Sequence, residues 1–284
     1  MKLRNVALAL GATAVGMFAY GMLVESNRLV VERRRLRLKK WPKHLDGFRI
    51  VVLADFHVRG KWSIEQAHRA VAAAIAEQPD MVVLPGDFID FWKPASDAHL
   101  REFLGPLRAL APNLVAVPGN HDYFYAKEAE NLRPALSDVG IRLLRNEVWE
   151  HKGITWVGMD SEVMGKADPV GTMAKVEHFP AISIWHEADN VHRLPEGCAL
   201  QISGHSHGGQ FRFPFGFTPM HSVLGKKYEE GFFPHAPTPL YVSRGIGTTG
   251  PPSRFLCPPE VSVLTLLSDG SSDMGDPAKS THRA

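Results

Sequence analysis

Cysteine is scarce: only Cys198 and Cys257 occur among 284 residues, and they do not form a CxxC pair. That excludes a cysteine-built zinc or redox motif and leaves two packing thiols, with a disulfide between them as the open alternative. Excess charge is scarce too. The 32 basic and 30 acidic residues leave a net charge of +2, which argues against a nucleic-acid partner bound by phosphate neutralisation. No internal repeat is evident. A hydrophobic fraction of 44% is ordinary for a globular chain and excludes wholesale disorder.

Histidine, in contrast, occurs 14 times, and one long charge-free run is present. Lys2 and Arg4 precede Val6 to Val24, a stretch of 19 residues without a charge. At about 1.5 Å per residue it is long enough for a hydrocarbon layer of roughly 30 Å. Signal peptides have shorter apolar cores and a small-residue cleavage site, whereas this run ends in Met22-Leu23-Val24-Glu25. Residues 1–27 are therefore read as a single-pass membrane anchor or uncleaved signal, against the alternative of a buried core helix. Arg28, Arg33, Arg34, Arg35, Arg37, Lys39 and Lys40 outnumber the positive charges before the run. By the positive-inside rule they favour a domain on the cytoplasmic face. The alternation Arg35-Leu36-Arg37-Leu38-Lys39 equally fits a half-buried strand of the fold.

Beyond the anchor, apolar runs alternate with helical periodicity. Strands are predicted at Phe48–Ala54, Met81–Leu84 and Leu114–Val117, with helices at Ser63–Glu77, Asp97–Leu110 and Lys127–Val139. Ser63 with Gln66 fits an N-cap and capping box. This rhythm implies right-handed crossovers and a largely parallel sheet. The later half is richer in strands: Ile141–Leu144, Glu147–Glu150, Thr155–Met159, Ala181–Trp185, Ala199–Ser203, Leu240–Ser243 and Val261–Leu267. They predict a second sheet packed on the first. Ser268–Ala284 is polar and aperiodic and reads as a disordered tail.

Ligands of open α/β sheets gather at the carboxyl ends of strands. At those ends stand Asp55-Phe56-His57, Gly86-Asp87, Gly119-Asn120-His121-Asp122, His186-Glu187 and Gly204-His205-Ser206-His207. Singly, each is an ordinary turn. Together they supply three Asp, one Asn and five His, a mixed oxygen and imidazole set suited to Mn²⁺, Fe²⁺ or Zn²⁺. Without a metal, so many converging polar groups would suffer charge crowding and desolvation.

In this order the five motifs resemble the calcineurin-like metallophosphoesterase superfamily, from about Phe48 to Leu267. Gly208-Gly209-Gln210 and the later Val242-Ser243-Arg244-Gly245-Ile246-Gly247, with Arg254 and Pro259-Glu260, are similar to its bacterial phosphodiesterase branch, which often carries an N-terminal membrane segment. The resemblance implies a four-layer α/β/β/α sandwich of two mixed sheets over residues 28–267. It implies one divalent metal on Asp55, His57 and His207, a second on Asn120, His186 and His205, and Asp87 bridging them. Hydroxide shared by the two metals would attack phosphorus, Asn120 would hold the phosphoryl oxygens, His121 would protonate the leaving oxygen, and Asp122 would orient His121. One departure stands at His186-Glu187-Ala188-Asp189, where the family usually has a proline; the ligand is kept and only loop rigidity changes.

The reaction so implied is metal-dependent hydrolysis of a P–O bond, most simply that of a phosphodiester, with a phospholipid or lipid-linked sugar nucleotide as the membrane-borne substrate. A phosphomonoesterase or protein phosphatase on the same centre is the nearest rival, and an inactive membrane-tethered binding protein the more distant one. His68, His99, His151, His178 and His192 lie away from the strand ends and are expected at the surface. The long segment Phe211–Pro239 is expected to cover the site. Within it Phe211, Phe213, Phe215 and Phe217 alternate as either a packed edge strand or an apolar substrate wall.

Overall fold

The computed structural model describes residues 3–124 and 131–271. Short β-branched runs bounded by turn residues pair into two six-stranded sheets. The first has the order β1 (Val30–Leu38), β12 (Glu260–Ser268), β2 (Arg49–Val52), β3 (Met81–Leu84), β4 (Leu114–Ala116) and β5 (Arg142–Leu143). Its strands β2 to β5 are parallel. They are linked through α2 (Lys61–Ala76), α3 (Ser96–Leu104) and α4 (Leu132–Val139). Antiparallel β12 joins β2 to the edge strand β1. The second sheet runs β10 (Gly231–Phe233), β11 (Leu240–Val242), β9 (Leu200–Gly204), β8 (Ala181–Glu187), β7 (Ile154–Gly158) and β6 (Glu147–His151). Its parallel centre is flanked by antiparallel β10 and β6.

Three apolar interiors stack these layers. Ala67, Ala70, Val71 and Ala74 of α2 pack with Phe103 and Leu136 onto Val51, Val82 and Leu114 on the outer face of the first sheet. Ile50, Val52, Val83 and Val115 meet Trp156, Ile182, Ile184 and Ile202 between the sheets. Trp185 and Met159 face Met173 of α5 (Pro169–Met173) on the far side. That fourth layer is thin. Each fully buried branched side chain adds about 1.5–3 kcal/mol relative to an exposed one.

Several sequence-based boundaries shift. Ser63 is not the N-cap of α2: the cap is Gly60, and Ser63 sits at the third helical position, its Oγ accepting from the Arg59 and Gly60 amides at 2.9 and 3.1 Å. The helix expected at Asp97–Leu110 tightens to a 3₁₀ turn over Gly105–Leu110 after Leu104. The expected start of the third helix falls at residues 125–130, outside the described residues. β12 extends to Ser268, whose amide and hydroxyl bond Asp46 at 2.5 and 2.9 Å. Ser268 therefore does not begin a tail; residues 272–284 lie outside the described residues. Cys198 and Cys257 are both buried, free thiols.

α1 (Leu3–Leu23) is 21 residues long, about 31 Å. Among the described residues it is the one helix long and apolar enough to cross a membrane. Arg33 to Arg35 lie on β1, so these basic residues serve the fold; Arg33 pairs with Glu77.

Candidate metal centre

Alternation along β8 determines where its end residue points. Ile182 and Ile184 face the inter-sheet core while Ala181 and Trp185 face outward. His186 follows the inward set, as a period of two requires. A register irregularity between Ile184 and Glu187 falls at this strand end, where a bulge re-aims side chains. The other chains enter the same space from turns after β2, β3, β4 and β9. Asp55, His57, Asp87, His205 and His207 all have positive φ, between 44° and 70°. Such backbone costs about 1–3 kcal/mol per residue and persists where surrounding structure over-determines it. Here it folds each strand end sharply enough to aim the next side chain inward. Gly119 permits the close approach: a Cβ there would overlap the Asp87 carboxylate and backbone.

Beside a cluster of His57, Asp90 and His121, the predicted ligand atoms form two groups. Asp55, His57 and His207 converge in one, Asp87, His186 and His205 in the other, and all are buried. The Asp87 carboxylate reaches both. Its Oδ2 lies 3.3 Å from His57 Nε2 and 3.1 Å from His186 Nε2. Asn120 joins the second group, with Oδ1 3.2 Å from His186 Nε2.

Backbone carbonyls decide which ring nitrogens face inward. His186 Nδ1 donates to the Pro85 carbonyl at 2.6 Å, and His205 Nε2 to that of Val223 at 2.5 Å. The remaining nitrogens, His186 Nε2 and His205 Nδ1, face one another at 3.1 Å. On neutral rings both carry lone pairs, and Asp87 Oδ2 and Asn120 Oδ1 add two more acceptors. Four acceptor atoms without a donor repel one another unless a cation or proton sits among them. The other group repeats the pattern, with His207 Nε2 3.0 Å from His57 Nε2. This donor set fits borderline divalent cations.

Protonation in the metal-free protein reflects the same demand for positive charge. Burial opposes a charged His57, but the hydrogen bond and charge of Asp87 push it up to about 9. Burial likewise opposes a charged His186, and Asp87 pushes it up to about 10. Burial would raise Asp87, yet the charge of His186 and the hydrogen bonds of His186 and His57 hold it well below the carboxylate range. His205 and His207 are lowered, first by burial and then by neighbouring cations. For His57 and His186 the folded values exceed the unfolded value of about 6.5. Their stabilisation is complete below pH 6.5 and is lost as pH rises through 9 to 10. Metal-free protein is therefore expected to melt at a lower temperature at pH 9.5 than at 6.5. Metal binding must displace these protons and tighten over the same window. A metal-free melting temperature that does not fall between those pH values overturns this account.

Asp122 corrects the sequence reading. Its carboxylate does not meet His121. It accepts the amides of Gly119, Asp87 and Phe88 at 2.8, 3.0 and 2.9 Å, clamping two strand-end turns together. The carboxylate facing His121 is Asp90, which sequence reasoning missed. His121 Nδ1 donates to the Asp90 backbone carbonyl at 2.9 Å and lies 3.5 Å from Asp90 Oδ1, leaving Nε2 for the cleft. Asp90 Oδ1 is also 3.5 Å from His57 Nδ1, and Arg59 holds Oδ2 at 3.1 Å. Its only signal was a second acid three residues beyond Asp87 in Gly86-Asp87-Phe88-Ile89-Asp90.

A cleft of about 390 Å³ opens above these groups, lined by Asn120, His121 and His205 to His207, and by Phe124, Val163, Met220 and Val223. Of the set-aside histidines, His178 and His192 are exposed, whereas His68, His99 and His151 are half-buried. The Phe-rich segment is not an edge strand: Phe213 bridges Phe217 around a tight turn, and Phe211 bridges Phe255.

The family model for calcineurin-like phosphoesterase matches residues 48–209. The chain belongs to the calcineurin-like phosphoesterase family. Members of this family use a divalent metal centre and hydrolyse phosphate esters, and the residue groups below the cleft could bind metal. The chain is 31% identical over 272 residues to the uncharacterized metallophosphoesterase YkuE of Bacillus subtilis, covering 92% of this chain and 94% of that one. It is 27% identical to phosphodiesterase YaeI of Escherichia coli, over 93% and 98% of the two chains. It is also 27% identical to the UDP-2,3-diacylglucosamine pyrophosphatase LpxG of Chlamydia muridarum, over 91% and 95%.

Proposed function

We propose that this calcineurin-like phosphoesterase is a membrane-anchored phosphodiesterase with a binuclear centre of Mn, Fe or Zn, acting on a phosphate-bearing lipid or lipid-linked sugar nucleotide. Residues 1–27 form the anchor and 28–268 the hydrolase domain. The observation that carries the binuclear reading is the single Asp87 oxygen within 3.3 Å of a histidine from each ligand group. Asp55, His57 and His207 would hold one cation and Asn120, His186 and His205 the other, with Asp87 shared.

Two divalent cations there would supply Lewis acidity and lower the pKa of water to near neutrality. The chain's own residues do the rest. The Asp122 clamp fixes the turns carrying Asp87 and Asn120. The Asn120 amide stands at the cleft floor to hold a phosphoryl oxygen. His121, its Nδ1–H held by Asp90, presents Nε2 to the leaving oxygen, and in its imidazolium form donates the Nε2 proton there. The apolar wall of Phe124, Val163, Met220 and Val223 favours a substrate with hydrocarbon beside its phosphate, and the names of YaeI and LpxG agree with a diester or pyrophosphate link.

The test is a panel of a chromogenic monoester, a chromogenic diester and vesicle-borne phospholipid, before and after chelation, with metal content measured. Diester or lipid hydrolysis that chelation abolishes and two equivalents of metal restore is expected. Cleavage of the monoester alone, or activity insensitive to chelation, overturns the proposal.

A further inference from the structure

Large apolar side chains left exposed by the domain are unevenly distributed. Phe215, Phe217, Met220 and Val223 fall within one stretch of nine residues. Phe215 is fully exposed at the tip of a tight turn closed by the Phe213 amide on the Phe217 carbonyl at 2.9 Å. Its φ is +66°, a left-handed conformation that bulky residues rarely adopt. In water this turn gains nothing from packing its aromatic tip.

The turn stands beside α1. Phe211, Phe213 and Phe255 face Ala14, Met17 and Phe18 across an apolar cavity of about 260 Å³. Tyr20 sits edge-on to Phe255 at 6.2 Å. The Phe18 carbonyl accepts from Ser253 Oγ and the Gly21 carbonyl from the Arg254 amide, both at 3.3 Å. These contacts begin at Ala14, ten residues before the end of the apolar run at Val24, or about 15 Å along the helix axis. The turn is therefore level with the interior of the apolar helix and not with its end. On its other side Met220 and Val223 form the lip of the metal cleft. Lys226 and Lys227 follow, both exposed, as cations suited to anionic headgroups.

We propose that the Phe213–Phe217 turn is a second bilayer contact. Phe215 and Phe217 enter the leaflet that surrounds the C-terminal half of α1, lipid chains fill the cavity between them, and the metal cleft opens onto the headgroup layer. The occupant is a lipid surface because the patch is continuous with a helix that itself requires hydrocarbon around it. This inference rests on α1 as a membrane helix. It deepens the proposed function by giving a lipid substrate its route, and its primary readout needs no hydrolysis.

Phe215→Cys in the full chain, carrying an environment-sensitive fluorophore, is placed in phosphatidylethanolamine–phosphatidylglycerol vesicles with and without brominated acyl chains. Both native cysteines are buried, so the introduced thiol takes the label. Lys152→Cys, exposed in the turn between β6 and β7, is the control. Bromolipid is expected to quench the label at position 215 by at least half and to leave the control unchanged. Equal quenching at both positions overturns the proposal. So does disulfide pairing of Phe215→Cys chains without quenching, which would make a second copy the occupant. In the Phe215→Ser, Phe217→Ser double variant, KM for a vesicle-borne diester is expected to rise by about tenfold, with the soluble chromogenic diester unaffected. Equal effects on both substrates count against it. Quenching without hydrolysis of any phosphate ester would remove the catalytic reading and leave the membrane contact standing.

Discussion

Asp87→Ala is expected to empty the centre and to lower turnover by more than about a thousandfold, beyond the cost of removing a single electrostatic donor. The reason lies in one carboxylate serving two groups. With Asp87 gone, His57 and His186 lose the partner that now lies within 3.3 Å of each. Burial then weighs more heavily on both imidazoles, which face His207 and His205 at 3.0 and 3.1 Å without the carboxylate that joined the two groups. Metal content should fall below one equivalent. The rise in melting temperature on adding metal should vanish as well, a loss of about 4 kcal/mol at a thousandfold excess over Kd. Wild-type activity in this variant would disprove a shared-carboxylate centre.

His121→Ala is expected to behave oppositely. Its ring touches the ligand groups only edgewise, 4.5 Å from the His57 ring centre, and 17% of its side chain is open to the cleft. Both metals should stay bound and KM should hold, while kcat falls by about 10²- to 10⁴-fold. The loss should shrink for a diester whose leaving group needs no proton. Because Asp90 faces the imidazole and Asp122 does not, Asp90→Asn should lower kcat by roughly 10- to 100-fold and change the pH profile. Asp122→Asn should show up in thermal stability, since it breaks a clamp made of backbone amides. If Asp122→Asn alone shifted the pH profile, the positioning role of Asp90 would be wrong.

These contrasts mark what sequence could and could not carry. The seven residues proposed as ligands could be picked out in the sequence because their placement is local: each sits one to four residues past an apolar run read as a strand, and five of the seven stand next to a small residue. Element order aligns the carboxyl ends of β2, β3 and β4 in one sheet and of β8 and β9 in the other, and the packing of the two sheets brings those ends together. Asp90 was harder. It lies beyond the turn in Phe88-Ile89-Asp90, and only the backbone path that bonds the His57 amide to the Asp87 carbonyl at 3.0 Å brings it against two imidazoles. Asp122 was misread for the complementary reason. Adjacency to His121 suggested a partner, whereas the 3₁₀ turn over His121–Tyr123 sends the two side chains apart. Of the two readings of the Phe-rich segment, the edge strand failed on period: alternation every second residue fits a strand, but Pro214 and the left-handed Phe215 close it into a turn.

β12, the last strand among the described residues, lies between β1 and β2, the first two. During synthesis the first sheet therefore has a gap between its edge strand β1 and the rest until Ser268 has left the ribosome. At about 5–20 residues per second, the roughly 240 residues after α1 take on the order of 10–50 s to appear. For most of that interval the N-terminal helix is complete, while Ser253 and Arg254, its partners in the domain, have yet to be made. Commitment of the helix to a bilayer can thus precede closure of the domain. The turn with Phe215 at its tip would then fold against a helix already in lipid, and a chain ending before Glu260 would leave β1 unpaired and its edge open to aggregation.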